Sequence, residues 1–190
     1  MEPVRVNLAP LMRFRDRITQ GLAGGGDDNP VRRALHQWAH IFRAFLQERF
    51  NAFSRGGGDW KPLAESTKRR RRGPQQGKAS LRGKRGKTHA ATGTFSILRD
   101  KNILYNVVAP AFTGAPGQLQ EDIPFGVRVG FGGPARHPDG TATIADIASF
   151  HQAGNPRLPQ RKIIVPPDEP TQKVMAGAMD TALKTIAGEA

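Results

Sequence analysis

The chain has 190 residues, of which 37% are hydrophobic, and this length can build one domain with a substantial core. Its 22 glycines and 15 prolines predict long irregular connections, although the composition is not that of a wholly disordered chain. No apolar run approaches the roughly 20 residues that cross a bilayer, and the first residues lack the apolar stretch of a signal peptide. The absence of cysteine excludes disulfides and thiolate metal sites. We therefore expect cytoplasmic synthesis and no membrane partner.

The net charge of +13 is the strongest global signal, and most of it comes from one segment. Residues 68–87 hold ten of the 29 basic residues and no acidic residue, so the rest of the chain has 19 basic against 16 acidic residues. The ten basic residues are Lys68, Arg69, Arg70, Arg71, Arg72, Lys78, Arg82, Lys84, Arg85 and Lys87. Because such a segment repels itself and has little to bury, we predict a mobile loop at residues 68–92.

Two helices are predicted in the N-terminal part of the chain. The spacing of Leu11, Phe14 and Ile18 fits an apolar helical face that begins near Pro10. A longer helix is predicted over residues 30–53, where apolar side chains recur at steps of three and four and form one broad stripe.

The start of the long helix carries its own signals. Pro30 suits the first helical position, because the N–H of that position has no acceptor within the helix and proline, which lacks an N–H, loses no hydrogen bond there. Asp28 or Asn29 can cap the helix by accepting backbone N–H bonds. We expect residues 1–29 to form an N-terminal arm and residues 30–190 to form a single domain.

Strand-prone runs follow the basic segment. Residues 103–108 and 125–131 are predicted strands, the second with clear alternation, and residues 110–124 between them are a predicted loop. Residues 143–152 are a predicted short helix, and residues 163–165 are a predicted short strand.

A last amphipathic helix is predicted over residues 170–186. Together with the long helix it gives an α+β fold, in which two amphipathic helices pack on a small, mostly antiparallel sheet with long loops and an N-terminal arm.

Candidates for catalysis or metal binding are few. His36 and His40 lie one helical turn apart, but no third ligand follows at a recognisable spacing. His151 with Asp146 suggests an acid–base pair, although a structural histidine near a turn is the commoner role of such a residue. The glycine-rich stretches lack the Gly-Lys-Ser/Thr ending of a phosphate loop. We expect no enzymatic activity, no metal and no cofactor.

The basic segment, residues 68–87, has more than one interpretation. Its cations can neutralise DNA or RNA phosphates without reading base sequence. The segment can instead be a solvated loop whose charge serves solubility, or it can order against an acidic face of a neighbouring subunit. No aromatic residue lies within it, so stacking platforms for single strands are not indicated.

Three stretches of the chain carry recognisable motifs. Residues 58–67 read Gly-Asp-Trp-Lys-Pro-Leu-Ala-Glu-Ser-Thr and lead into the basic segment. Residues 97–106 read Ile-Leu-Arg-Asp-Lys-Asn-Ile-Leu-Tyr-Asn. Residues 148–154 read Ala-Ser-Phe-His-Gln-Ala-Gly, and residues 159–161 follow with Pro-Gln-Arg.

In this order the three stretches resemble the tail-completion and virion-morphogenesis family of tailed bacteriophages. The family patterns are Gly-x-Trp-x-Pro-Leu…Thr, Ile-Leu-x-Asp-Thr-Gly-x-Leu-x-x-Ser and Tyr-Ala-x-x-His-Gln-x-Gly…Pro-x-Arg. Two positions depart from them: Lys101-Asn102 replaces Thr-Gly, and Ile147 stands near the place of the tyrosine. The resemblance covers residues 35–186.

The resemblance implies a structural virion protein that completes the tail or neck at the head–tail junction as a homo-oligomeric ring, which we expect to be hexameric. The implied partners are the adjacent neck or connector proteins and the tail-tube proteins, with genomic DNA as a further partner in the lumen. The implied location is the virion, after assembly in the host cytoplasm. The ten basic residues are candidates to face DNA in the lumen.

The motif residues are candidates for a subunit interface or a structural role: Trp60, Pro62, Leu63, His151, Gly154, Pro159 and Arg161. The first three are expected to anchor the loop after the long helix against the sheet. The next three are expected to form a turn near a subunit interface, and the arginine is available for an ion pair between subunits. We expect the N-terminal arm to lie on a neighbouring subunit.

The alternative function is a sequence-nonspecific nucleic-acid-binding protein that uses residues 68–87. It predicts tight, strongly salt-dependent DNA binding by isolated monomers, whereas a virion subunit predicts a defined oligomer with weak or no free binding. An enzyme is a third hypothesis, tested by whether substitution of His151 or His36 abolishes any activity.

Overall fold

The fold is α+β, as the sequence predicts. A computed structural model describes residues 9–23, 26, 28–56, 58–72, 96–99, 101–138, 140–156 and 158–189. The helices within these ranges are α1 (Ala9–Leu22), α2 (Pro30–Ser54), α3 (Glu65–Arg72), α4 (Ile103–Val108), α5 (Ile144–Ala153) and α6 (Glu169–Glu189). The two strands there, β1 (Gln118–Ile123) and β2 (Gly126–Phe131), pair in an antiparallel sheet.

The chain divides into two compact units. The first unit is drawn from Met1–Phe45, Leu119–Gly130 and Pro166–Ala190. The second is drawn from Leu46–Gln118 and Phe131–Val165. Helix α2 therefore contributes its N-terminal part to the first unit and its C-terminal part to the second.

The core of the first unit is formed by the apolar faces of α1, α2 and α6 together with β2. Val31, Leu35 and Ile186 are its buried centre. Partly buried hydrophobic residues pack around them, namely Phe14, Ile18, Leu22, Trp38, Val127, Met179 and Leu183. These residues recur at helical spacing in the sequence, which is why the three amphipathic helices are predicted there, and the structure confirms each of them.

The beginning of α2 is capped by Asn29. Its side-chain oxygen accepts the Val31 backbone N–H at 2.9 Å, and its amide nitrogen donates to the Arg17 carbonyl oxygen at 3.0 Å. Of the two predicted capping residues, Asn29 thus takes the role, and it also ties α1 to α2 within the first unit.

The hairpin of β1 and β2 turns at Pro124 and Phe125. Phe125 has a φ of 65°, and a proline followed by a residue with positive φ is the pattern of a type II turn. The Phe125 N–H donates to the Leu22 carbonyl at 2.5 Å. The prediction of a loop over residues 110–124 is wrong in its last part, where β1 lies. The sequence of β1, Gln-Leu-Gln-Glu-Asp-Ile, is too polar to show the hydrophobic signal of a strand.

A buried arginine of α2 holds this hairpin. Arg32 is 1% exposed, forms an ion pair with Asp122 of β1, and donates to the Gly126 carbonyl at 3.0 Å. His36 lies within 2.9 Å of the same carboxylate through Nε2. A carboxylate and a carbonyl thereby compensate a guanidinium that is removed from water.

The core of the second unit is aromatic. The ring of Phe50 in α2 meets Trp60 edge-on at 4.9 Å between centroids and Tyr105 at 5.9 Å. Phe53 meets Trp60 at 5.8 Å. The Tyr105 hydroxyl accepts a hydrogen bond from Gln47 at 2.7 Å, so the polar end of the ring is also satisfied.

Two predicted strands of the second unit are wrong. Residues 103–108 form helix α4, because Leu104, Val107 and Val108 are buried at helical spacing. Residues 163–165 form no strand, and the chain bends at Ile164. A short apolar run in a sequence fits either a helix or a strand, so the structure of residues 103–108 and 163–165 depends on their tertiary contacts.

The predicted helix at residues 143–152 is confirmed as α5. Thr143 and Asp146 form a reciprocal capping box at its start, with both hydrogen bonds at 3.0 Å. These bonds lower the pKa of the Asp146 carboxyl.

The start of the basic segment is helical rather than a loop. Residues 68–72 belong to α3, and the Lys68 ammonium pairs with Glu65 in the first turn at 2.7 Å. Lysine and arginine are good helix formers, and an acidic residue at a helix start is favourable. The rest of the predicted loop, residues 73–92, lies outside the described residues.

Candidate functional site

The first and third motif stretches are bonded to each other in the second unit. Arg161, which is 5% exposed, donates from Nε to the Lys61 carbonyl at 3.2 Å and from Nη2 to the Lys61 and Pro62 carbonyls at 3.1 and 3.4 Å. The Trp60 indole donates to the Lys162 carbonyl at 3.2 Å. Stretches that lie 100 residues apart in the chain are therefore joined by motif side chains.

The second motif stretch is tied to the C-terminal part of α2. The Ile97 N–H donates to the Ser54 carbonyl at 2.8 Å. The Arg99 guanidinium donates to Asn51 at 3.0 Å and lies 4.1 Å from the centroid of the Tyr105 ring. Because Tyr105 also contacts Phe50, this stretch joins the same aromatic core as Trp60.

Gln152 fastens the chain after α5. Its side-chain oxygen accepts the N–H groups of Ile163 and Ile164 at 2.8 and 3.0 Å, and its amide nitrogen donates to the Ile164 carbonyl at 2.7 Å. Its own carbonyl accepts from Gln160 at 3.0 Å. Gln152 thus replaces a neighbouring strand for residues 163–164, which explains why the predicted strand does not form a ladder.

Gly154 and Asn102 occupy backbone conformations that explain their residue types. Gly154 has φ 72° and ψ 170°, and a Cβ there would lie 2.8 Å from the backbone of Gln160. Asn102 has φ 56° and ψ 9°. The family pattern has glycine at that position, and asparagine is among the residues that best tolerate a left-handed backbone.

An open cavity of about 590 Å³ lies where the three motif stretches meet, and we call it the motif groove. Most of its lining is apolar, including Pro62, Leu63, Leu98, Ile103, Ile147 and Pro159. Its basic or imidazole residues are Lys61, Lys101, His137, His151 and Arg161. None of its fifteen lining residues within the described part of the chain is Asp or Glu.

His151 is the perturbed titratable group of the groove. Burial and the nearby charge of Arg161 lower the pKa of its imidazole from 6.5 to about 4. The ring is therefore neutral at physiological pH. Its Nδ1 atom is buried and has no hydrogen-bond partner among the described residues.

The predicted role of Trp60 needs correction, whereas the anchoring role of Pro62 and Leu63 stays a prediction. Trp60 anchors the loop after α2 by packing on Phe50 and Phe53 of that helix, whereas packing on the sheet was expected. Pro62 and Leu63 line the motif groove.

The third motif stretch lines the groove or holds its frame. His151 and Pro159 line the groove, and Gly154 lies in the turn after α5. Arg161 is buried and bonded to carbonyls of its own chain, so an ion pair between subunits is not the role that its geometry favours. The position of the predicted turn at a subunit interface stays a prediction.

Sequence reasoning missed several contributors to this site. Gln152 belongs to a motif, but the sequence did not predict the three hydrogen bonds that its side chain makes to the backbone of Ile163 and Ile164. Leu98, Lys101 and Ile103 line the groove. The sequence placed them in a motif but predicted no site role for them. All three residues belong to the second motif stretch. The sequence alone does not indicate that this stretch lies near Arg161.

The histidine and carboxylate candidates for chemistry are engaged elsewhere. His36 contacts Asp122, and Asp146 is held in the capping box of α5. Within the described part of the chain, no group of three or more His, Asp or Glu side chains is placed to hold a metal ion. No helix in these ranges has the length and apolar character to cross a membrane.

Comparisons with protein-family models, with curated protein sequences and with solved structures gave no match to this chain. The functional interpretation therefore depends on the motif residues, on their mutual bonds and on the composition of the motif groove.

Proposed function

We propose that this chain is a structural protein of a tailed-bacteriophage virion, a ring-forming tail-completion or neck subunit at the head–tail junction. The observation that carries the proposal is the convergence of the three family-like stretches on one frame. Arg161 forms hydrogen bonds with the Lys61 and Pro62 carbonyls, and Trp60 forms one with the Lys162 carbonyl. Motif residues from different stretches thus hold one another in place. The motif side chains therefore stabilise the fold of the second unit, and an assembly subunit requires such a stable domain.

The departures from the family pattern are consistent with the proposal. Asn102 stands where the pattern has glycine and adopts the left-handed backbone that glycine favours. The residue differs from the pattern, but its backbone conformation is one that glycine favours. The same frame gives Gln152, Gly154 and Arg161 structural roles that need no substrate.

The oligomeric state of the purified full chain tests this function. A hexamer has a mass of about 124 kDa, six times the 20.7 kDa chain. We expect mass photometry to find one closed species and negative-stain images to show a ring with a central hole. A protein that stays monomeric at micromolar concentration, both alone and with its neck and tail-tube neighbours, would overturn the proposal.

The proposed N-terminal arm needs a limited truncation. Helix α1 packs against α6 in the first unit, so deletion of residues 1–26 would damage a core as well as an arm. Deletion of residues 1–8 leaves α1 intact. We expect this shorter deletion to lower the fraction of rings, and rings that form undiminished would contradict the arm.

The second candidate function is nonspecific nucleic-acid binding, which the ten basic residues within residues 68–87 favour. Monomers would then bind duplex DNA with an affinity that falls steeply as salt rises. Fluorescence anisotropy with a labelled 30-base-pair duplex at two salt concentrations distinguishes the two functions. Tight binding by a chain that forms no ring would favour the second.

A further inference from the structure

The described part of the chain has one sheet of two strands, so β1 and β2 each have one edge without a neighbouring strand there. We propose that the outer edge of β2 pairs with the same edge of a second copy of this chain, antiparallel and in one register. The two hairpins then form a four-stranded sheet across a two-fold axis. This inference goes beyond the proposed function and does not depend on it.

The register of the hairpin shows which residues carry the outer edge of β2. The two-residue turn puts Ile123 opposite Gly126, and at the other end of the hairpin the Gly132 N–H donates to the Gly117 carbonyl at 3.0 Å. Both ends fit one antiparallel ladder, in which hydrogen-bonded and non-hydrogen-bonded residue pairs alternate. In this ladder three residues of β2 direct their N–H and carbonyl groups away from β1: Val127, Val129 and Phe131.

The backbone of β2 is unpaired along this edge in the part of the chain that the structure describes. There, no side chain or loop backbone is hydrogen-bonded to Val127, Val129 or Phe131. The outer edge of β1 differs, because the Gln118 N–H donates to the Ala115 carbonyl at 2.9 Å. A row of unpaired N–H and carbonyl groups is a template for another strand, so β2 has the edge that is ready to pair.

The sequence of β2 lacks the features that protect an edge strand. Such strands are commonly protected by proline or by charged side chains. The strand reads Gly-Val-Arg-Val-Gly-Phe, which contains no proline, and its one charged residue, Arg128, is paired with Glu121 of β1 at 2.6 Å. Valine and phenylalanine favour strands, so this edge accepts a further strand without opposition from charge or from the backbone.

Two copies of β2 fit each other in a register centred on Val129. Antiparallel pairing of Val129 with Val129 of the second copy puts Val127 opposite Phe131 and Arg128 opposite Gly130. The apolar pairs lie on one face of the sheet, where Val127 packs on the core of the first unit. Apolar side chains directly opposite each other stabilise a sheet, and no like charges meet in this register.

The neighbouring registers are poorer. A shift that puts Val127 opposite Val129 brings Arg128 opposite Arg128 of the second copy, and like charges directly opposite each other are destabilising. A shift in the other direction puts Gly130 opposite Gly130, which has no side chain to pair. Self-recognition by β2 therefore selects a single register.

The face of the sheet that carries Arg128 has room for the contact. The Arg128 side chain is 59% exposed, and a Cβ added at Gly130 would meet no atom of the described residues within 4 Å. The Arg128 side chain of the second copy can therefore lie over Gly130 and keep Glu121 as its partner. Gly130 does not have a positive φ, so other residues fit there without backbone strain.

Disulfide formation between full-length chains tests the register. The wild type has no cysteine, so every disulfide comes from the substitutions. Residues 128 and 130 of the two copies form a non-hydrogen-bonded pair, in which Cα atoms lie about 4.5 Å apart, a distance that a disulfide spans. We expect an equal mixture of Arg128→Cys and Gly130→Cys to give a crosslinked dimer on a non-reducing gel, whereas each variant alone stays largely uncrosslinked.

The matched control is an equal mixture of Glu121→Cys and Gly130→Cys. Position 121 is exposed on the same face of the hairpin, but β1 lies one strand farther from the second copy. We expect this mixture to crosslink no faster than Gly130→Cys alone. Rapid crosslinking of Arg128→Cys alone would show the register in which the arginines are opposite each other, and it would overturn the inference.

Charge at position 130 tests the pairing without cysteine. Gly130→Lys puts an ammonium opposite Arg128 of the second copy, whereas Gly130→Glu puts a carboxylate there, and by symmetry each new pair occurs twice. We expect the dissociation constant of the contact, measured by sedimentation equilibrium, to rise about fivefold or more for Gly130→Lys. For Gly130→Glu it should stay the same or fall. Circular dichroism of both variants checks the fold.

Several outcomes overturn the inference. Crosslinking of the 128 and 130 variants no faster than the control, equal effects of lysine and glutamate at position 130, or a wild type that is monomeric at micromolar concentration would each do so. A two-fold contact joins copies in pairs, so a ring that contains it has an even number of copies, as the expected hexamer does. Rings without this crosslink contradict only this inference, and crosslinked dimers that never form rings contradict only the ring.

Discussion

A buried arginine joins distant segments of the chain in each of the two units, but the two arginines do so differently. In the first unit Arg32 joins α2 to the hairpin through the carboxylate of Asp122. In the second unit Arg161 joins two motif stretches through the carbonyls of Lys61 and Pro62. One arrangement depends on a single opposite charge, and the other depends on the exact course of the backbone. The first should therefore be sensitive to loss of charge, and the second to small changes in chain geometry.

The largest expected effect is on the first unit, from Asp122→Ala. The substitution leaves the Arg32 guanidinium, which is 1% exposed, without its carboxylate. Removing one partner of a fully buried pair costs about 3–5 kcal/mol, and because the Asp122 side chain is itself 49% exposed we expect the lower part of that range, about 3–4 kcal/mol. Urea unfolding followed by circular dichroism measures the loss in the free energy of unfolding.

The control for this substitution lies one residue away on the same strand. Glu121 pairs with Arg128 at 2.6 Å on the surface, so Glu121→Ala should cost no more than about 1 kcal/mol. Equal losses from the two substitutions would show that burial of Arg32 is not the source of the effect.

In the second unit Gly154→Ala should act through geometry. The backbone at this position is one that glycine alone adopts readily, and the new Cβ would lie 2.8 Å from the backbone of Gln160. We expect a loss of about 2–4 kcal/mol in the free energy of unfolding. Gly133→Ala is the matched control, since φ is also positive there but the surrounding space is open, and it should cost only about 1–2 kcal/mol. A Gly154→Ala variant no less stable than the control would remove the argument for a close approach.

Gln152→Ala should cost somewhat less. It deprives the Ile163 and Ile164 N–H groups of their acceptor, and unsatisfied partly buried donors cost roughly 2–3 kcal/mol in total. Gln160→Ala, which removes one exposed hydrogen bond, should cost about 0.5 kcal/mol or less. Thermal unfolding of both variants beside the wild type makes the comparison, and similar midpoints would contradict the role of Gln152.

The smallest expected effect is a pH dependence from His151. In the unfolded chain its imidazole takes up a proton near pH 6.5, whereas in the folded chain it stays neutral down to about pH 4. The unfolded state therefore binds more protons in this window, and stability falls as the pH decreases from 6.5 to 4. We expect a loss of roughly 1–2 kcal/mol, because one pKa unit corresponds to about 1.4 kcal/mol and partial exposure of the ring screens it.

Unfolding by urea at pH 7 and pH 4.5, for the wild type and His151→Gln, measures this contribution. The variant should lose less stability than the wild type over that interval. Identical losses in the two proteins would assign the pH dependence to other groups.

The sequence supports a correct prediction of the long helices and of the fold class. The apolar stripe of α2 is long enough to distinguish a helix from a strand, and Asn29 and Pro30 mark its beginning. Residues 103–108 are too short for the same test, and their burial on the rest of the second unit made them a helix. Strand β1 was missed because its side chains are mostly polar and it is defined by its partner.

The candidate site was predictable only in part. The motif letters pointed to Trp60, Pro62 and Arg161, and these residues do meet. The acceptors of their hydrogen bonds are backbone carbonyls, which every residue carries, so no side-chain pattern could identify them. The groove likewise depends on the proximity of distant stretches, of which Leu98 is an example.

The first unit has a consequence for the order in which the chain can fold. Its core joins Val31 and Leu35 to Ile186, which is near the other end of the chain. During synthesis the apolar face of α2 emerges long before its partner on α6 exists. The first unit can therefore close only after the residues up to Ile186 have left the ribosome, and such long-range closure is slow and exposes apolar surface in the meantime.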